Sequence, residues 1–111
     1  MTYQDVGDLV SGFGLPCAYY QFRDNTATAP PFVCWFFEDD EDFGADDVNY
    51  AKIRPVRIEL YTDYKDFDLE QRIENSITAA DLRFSRSEGA IPSERMYMVA
   101  FTVPILITTE E

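Results

Sequence analysis

The chain has 111 residues, 46% of them apolar and 15% aromatic, with 21 acidic residues against 9 basic ones and a net charge of −12. That length fits one domain spanning residues 1–111, and the apolar fraction is well above that of an acidic disordered chain, so a packed core is expected. The charge excludes the basic stripe that neutralises phosphates and disfavours an anionic membrane surface, so neither nucleic-acid nor membrane binding is expected.

Residues 3–13 place Val6, Leu9, Val10 and Phe13 at helical spacing, and Gly14 with Leu15-Pro16 stops the helix. A β-prone run follows over residues 17–22, and residues 23–29 read as a hairpin-like loop. Pro30-Pro31 leads into Phe32-Val33-Cys34-Trp35-Phe36-Phe37, which is apolar on both parities and predicts the middle strand of a sheet. Aromatics in such a run, Trp35 included, are expected in the core rather than in a recognition patch. Cys17 and Cys34 fall in apolar strands and read as small buried hydrophobes; a bridge between them requires Cα atoms within about 7 Å.

Composition changes abruptly over residues 38–49, where eight of twelve residues are Asp, Glu or Asn. Mutual repulsion predicts an exposed loop. Aligned with an EF-hand, Asp39, Glu41 and Gly44 take the first, third and sixth positions, but Phe43 stands where an oxygen ligand belongs and Tyr50 replaces the closing Glu. No metal is expected there. Lys52, Arg54 and Arg57 are three of only nine basic residues. Two readings of them stand: a patch that docks on an acidic neighbouring copy, or ordinary outward charges of a half-exposed strand.

Alternation in Val56-Arg57-Ile58-Glu59-Leu60-Tyr61 predicts a half-buried strand. Asp66 or Asp68 caps a helix running to about Ala80, with Leu69, Ile73, Ile77 and Ala80 facing inward and Glu70, Arg72 and Glu74 facing water. Residues 82–88 and 95–108 read as two strands joined through Gly89-Ala90-Ile91-Pro92-Ser93, with Pro104 fitting an edge or a bulge better than a central strand. The expected fold is therefore α+β: one mostly antiparallel sheet, helices on one face, element order α-β-β-β-α-β-β.

Chemistry is conspicuous by omission. There is no histidine, no GxSxG elbow, no P-loop, no GxGxxG and no CxxC, so the expectation is a non-enzyme without a cofactor. No apolar run approaches a membrane span and the N-terminus lacks the layout of a signal peptide, which predicts a cytoplasmic protein.

The segments Ala29-Pro30-Pro31-Phe32-Val33, Phe43-Gly44-Ala45-Asp46-Asp47-Val48-Asn49-Tyr50, Ile58-Glu59-Leu60-Tyr61-Thr62-Asp63-Tyr64-Lys65-Asp66 and Ser93-Glu94-Arg95-Met96-Tyr97 occur in the order seen in a known family. With the helix carrying Leu69-Glu70-Gln71-Arg72-Ile73-Glu74, they span nearly the whole chain. Together they resemble the small protein encoded just before the major tail protein in prophages and siphophages of Gram-positive bacteria. The family's pattern has an Asn-like polar residue near Phe43, from which this chain departs.

The resemblance implies a tail terminator or related head-to-tail joining protein of an α+β fold. Such proteins form hexameric rings that cap the tail tube and contact the major tail protein and connector proteins, with no catalytic residues. The implied location is the host cytoplasm during assembly and then the virion. Phe43, Asp46, Asp47, Asn49, Tyr50, Lys52, Arg54 and Arg57 are the candidate interface residues. An acidic ring lumen would keep sliding DNA from sticking, or the charge serves only to maintain solubility before assembly. The alternative function is an acidic DNA mimic that inhibits a host nucleic-acid-binding protein, although mimicry needs carboxylates spread along a face rather than gathered in one loop.

Overall fold

The computed structural model describes residues 1–21, 28–38 and 51–108. The acidic segment 39–50 and most of the 23–29 loop lie outside the described residues, as do the side chains of Ala51 and Lys52. The described residues form helices α1 (Tyr3–Ser11) and α2 (Phe67–Ala79) and strands β1 (Cys17–Tyr19), β2 (Phe32–Phe37), β3 (Ala51–Thr62), β4 (Ser85–Ile91) and β5 (Met96–Thr108). The α+β class and the element order agree with the sequence reading. In space the strands run β1-β2-β3-β5-β4, and every pairing is antiparallel except β1 with β2.

Both helices start on side-chain caps. Thr2 and Asp5 form a reciprocal capping box at α1, and the Asp66 carboxylate accepts from the Leu69 N–H at α2. α1 ends at Ser11, two residues before the expected Phe13, because Gly12 caps it and Gly14 takes a positive φ of 80° that favours glycine. Phe13 is nevertheless buried. Val6 and Val10 from α1, and Leu69, Ile73 and Ile77 from α2, meet Val33, Val56, Ile58, Leu60, Val99, Phe101, Val103, Ile105 and Ile107 of the sheet in one core. Each such side chain taken out of water contributes roughly 1.5–3 kcal/mol before entropy is counted.

Several expectations are corrected. Residues 23–29 do not close a hairpin, because β1 runs parallel to β2 with Cys17 opposite Val33 and Tyr19 opposite Trp35. β1 stops at Tyr19, where Tyr20 turns to φ 70° and the Gln21 N–H closes onto the Tyr19 carbonyl. β2 lies second in the sheet, and the central place belongs to β3, which begins at Ala51 rather than Val56. Gly89, Ala90 and Ile91 belong to β4 rather than to the connection, which is a tight turn over Pro92–Glu94 closed by Arg95 at φ 55°.

A further correction concerns Glu70, expected wet and found 2% exposed. Its carboxylate accepts from Lys65 Nζ at 2.6 Å and from Arg86 Nη2 at 2.8 Å, and Arg86 Nη1 reaches Glu74 at 2.5 Å. Glu88 joins through Lys65 at 2.6 Å and Arg86 at 3.1 Å. Helical periodicity puts Glu70 on the polar side of α2, but β4 lies against that side and brings the cation that makes its burial tolerable.

Pro104 sits in an interior strand, yet without loss. β4 ends its pairing at Ser85 opposite Thr102, so two residues further on the β5 rim has no β4 partner. Pro104 faces Pro55 across the β3–β5 ladder. The Glu38 N–H donates to the Pro55 carbonyl at 2.8 Å, which fixes Pro55 as pointing toward β2. The two prolines therefore meet at a pair that exchanges no hydrogen bonds.

Ile73→Ala should cost about 2–5 kcal/mol, measured by urea unfolding, because Ile73 is fully buried between α2 and the sheet. Arg86→Ala should cost about 2 kcal/mol, less than the 3–5 of a fully buried pair because Lys65 still serves Glu70. Hydrogen bonds from Lys65 and then Arg86 hold the Glu88 carboxyl below its ordinary value of 4.5. Its stabilising effect is therefore complete above that value and declines as the pH falls below it. Thermal melts from pH 6 to about pH 3 should show a smaller acid loss in Glu88→Gln than in the parent.

Candidate functional site

Alternation sends Val33, Ile58 and Phe101 into the core and the intervening residues to a face that no described helix covers. One row across this face runs Ala18, Cys34, Glu59, Ala100 and Ser87, through the pairings of β1, β2, β3, β5 and β4. A second row places Phe32, Tyr61, Met98 and Gly89 side by side, and a third Phe36, Arg57, Thr102 and Ser85. Two aromatic stacks frame the central row. Phe32 lies on Tyr61 at 5.0 Å between ring centroids, and Tyr20 lies on Phe36 at 4.8 Å with the rings nearly parallel.

Glu59 stands between the stacks. Arg57 and Tyr61, two residues to either side on the same strand face, reach it directly: Arg57 Nε donates at 2.7 Å and the Tyr61 hydroxyl at 2.7 Å. The Cys34 thiol, opposite Glu59 in the register, is pushed up by its burial first and then by the Glu59 and Cys17 charges. Burial and the Glu59 hydrogen bond raise the Tyr61 phenol as well. Neither group is an activated nucleophile, since a reactive thiol needs a lowered pKa. Among the described residues no cluster of His, Cys, Asp and Glu could hold a metal. The face presents apolar rings around a charge already matched within the chain.

The candidate interface residues distribute unevenly. Phe43, Asp46, Asp47, Asn49 and Tyr50 lie outside the described residues, as do the EF-hand positions. Lys52 is opposite Ile107 in the β3–β5 ladder. Arg54 and Arg57, three apart in a strand, lie on opposite faces. Arg54 points to the helix side, where its guanidinium lies 5.0 Å from the Phe37 ring centroid, donates to the Tyr3 hydroxyl at 3.2 Å and to the Glu38 carbonyl at 3.3 Å. β3 thus splits the basic residues instead of presenting one patch.

Trp35 packs partly into the core beside Tyr19, Phe37 and Gly7, as expected of it. Phe32 and Phe36, expected in the core with the rest of their run, lie instead on the face away from the helices. The available signal was aromatic side chains at both parities of β2, which a strand buried on two sides and a strand with one recognition face share. Cys17 and Cys34 are both free, and their neighbours in the register, Val33 and Ala18, place them on opposite faces of the sheet.

Comparison with known proteins gives no matching family model and no matching curated protein.

Iodoacetamide should label Cys17 ahead of Cys34 in the folded chain, with Cys34 reacting only as the chain unfolds. Peptide mapping after timed labelling checks this, and equal native rates at the two thiols would contradict the burial of Cys34.

Proposed function

We propose that this chain is a structural protein of a tailed bacteriophage or prophage, acting at the junction of head and tail by assembling into a closed ring of identical copies that binds tail and connector proteins. The observation that carries the reading beyond the sequence resemblance is the asymmetry of the sheet. Both helices cover one face, while the other carries Phe32, Phe36, Tyr20 and Tyr61 with no described helix over them. At one end of that face, Ile53 and Leu106 sit opposite each other, 49% and 53% exposed. An aromatic and aliphatic surface of this kind on a non-catalytic domain favours contact between proteins as its role.

Ring closure needs a heterologous contact whose rotations sum to a full turn, and a ring on a tail tube matches the symmetry of the tube, six in the family resembled. At −12 per copy, subunits repel at low salt. The repulsion is screened as the Debye length falls to about 4 Å near 0.5 M salt, while apolar burial persists.

Light scattering across a salt series should therefore show association strengthening with ionic strength, alone or with the major tail protein. Phe36→Asp should weaken it by about tenfold or more while leaving the far-ultraviolet circular dichroism unchanged, because Phe36 faces away from the core. A strict monomer at every salt concentration, with no binding to tail tubes, would refute the reading. Tight inhibition of a DNA-binding enzyme by that monomer would favour the DNA mimic instead.

A further inference from the structure

We propose that β4 is a docking edge for an extended strand of a second protein, one that carries a lysine or arginine opposite Glu88. In an antiparallel sheet each residue turns its N–H and C=O toward one neighbouring strand only. Pro55 bonds toward β2, and the alternation this sets passes through the β3–β5 and β5–β4 registers. Ser85, Ser87, Gly89 and Ile91 accordingly bond to β5, and Arg86, Glu88 and Ala90 turn their backbone groups outward. Among the described residues no hydrogen bond reaches those outward groups.

The edge lacks most of the usual protections. Sheet edges are commonly guarded by shortness, proline, a bulge, or charge that points outward or inward. β4 has seven residues, no proline, and is exposed along its length up to the partly buried Ile91. Its two charged side chains, Arg86 and Glu88, do point inward, but they are engaged over α2 in ion pairs with Glu70, Glu74 and Lys65 and do not stand across the path of an incoming strand. The other edge is different: β1 has three residues, and the Tyr19 carbonyl is already taken by the Gln21 N–H. A neighbouring copy's β1 is too short to serve as the incoming strand.

Charge decides between the remaining partners. The ion cluster holds three carboxylates, Glu70, Glu74 and Glu88, against two cations, Lys65 and Arg86, a surplus of one negative charge. Glu88 is the exposed member, with 52% of its side chain open to solvent. A cation opposite Glu88 would balance the cluster, as opposite charges across paired strands do. Beside β4, a cleft of about 320 Å³ lined by Lys65, Glu88, Gly89, Ala90 and Tyr97 has room for a long side chain of the incoming strand. A second copy's β4 laid antiparallel about Glu88 would instead bring two clusters of the same surplus together, on chains of −12 each. Strand addition by another protein is the arrangement that satisfies the backbone and the charge at once. It holds whatever assembly the chain belongs to.

The test uses the full chain labelled with ¹⁵N and two capped heptapeptides of alternating threonine and valine, one with lysine and one with glutamate at the centre. With the lysine peptide at up to about 1 mM, the amides of Arg86, Glu88 and Ala90 should shift and exchange more slowly, and the glutamate peptide should bind about tenfold more weakly. Glu88→Lys should reverse that preference. Ala90→Pro removes an outward N–H without breaking the β4–β5 ladder, and should abolish both responses in a chain whose circular dichroism is unchanged. The proposal is overturned if these amides do not respond to the lysine peptide, if Ala90→Pro responds as the parent does, or if Glu88→Lys leaves the preference unaltered. Protection of the same amides by raising protein concentration alone would assign the edge to a second copy and overturn it equally.

Discussion

The long antiparallel ladder between β3 and β5, twelve residue pairs from Ala51 opposite Thr108 to Thr62 opposite Tyr97, is the frame on which every other element is placed. Its register determines which residues face the helices, because a slip of one position would exchange the two faces of both strands. It also accommodates two prolines in interior strands by setting Pro55 against Pro104 where no bonds are exchanged. Pro55 still deprives Glu38 of a donor for its carbonyl, and Arg54 Nη2 supplies one from the adjacent position. A comparable substitution occurs past the end of β1, where the Tyr19 hydroxyl accepts from the Phe37 N–H that no β1 residue reaches. Side chains thus complete the ladder where backbone cannot.

The two faces created by this register have different physics. On one, α1 and α2 exclude water from an aliphatic core with Phe13 and Phe101 in it. On the other, aromatic rings stack in pairs and the one central carboxylate, Glu59, is matched by Arg57 and Tyr61. The first face accounts for stability, and the second carries apolar rings that no described helix covers. α2 links the core to the sheet edge through Glu70, whose burial depends on Lys65 from the preceding loop and Arg86 from β4. That cluster holds β4's charges away from its outer rim, so the stability of the helix packing and the openness of the edge have a common cause.

Much of this was legible in the sequence, where the signal was local. Helical spacing of Val6, Val10 and Phe13, and of Leu69, Ile73 and Ile77, identified both inward stripes, and Asp66 marked the start of α2. Alternation in Val56-Arg57-Ile58-Glu59-Leu60-Tyr61 assigned each of those residues to its face. These succeed because periods of 3.6 and 2.0 are properties of the backbone itself, and burial of one side follows from them.

What the tertiary structure alone decided was whatever depends on a partner distant in the chain. A polar position on α2 becomes a buried carboxylate because β4, sixteen residues away at Arg86, lies against it. The parallel pairing of β1 with β2, the place of β2 beside rather than at the centre of the sheet, and the separation of Arg54 from Arg57 by the full thickness of the sheet depend likewise on which strands become neighbours. An apolar run such as Phe32-Val33-Cys34-Trp35-Phe36-Phe37 determines by itself that both of its faces avoid water, but not what covers each of them. Hydrophobicity is a property of the residue, whereas the identity of the covering surface is set by the long-range contacts of the fold.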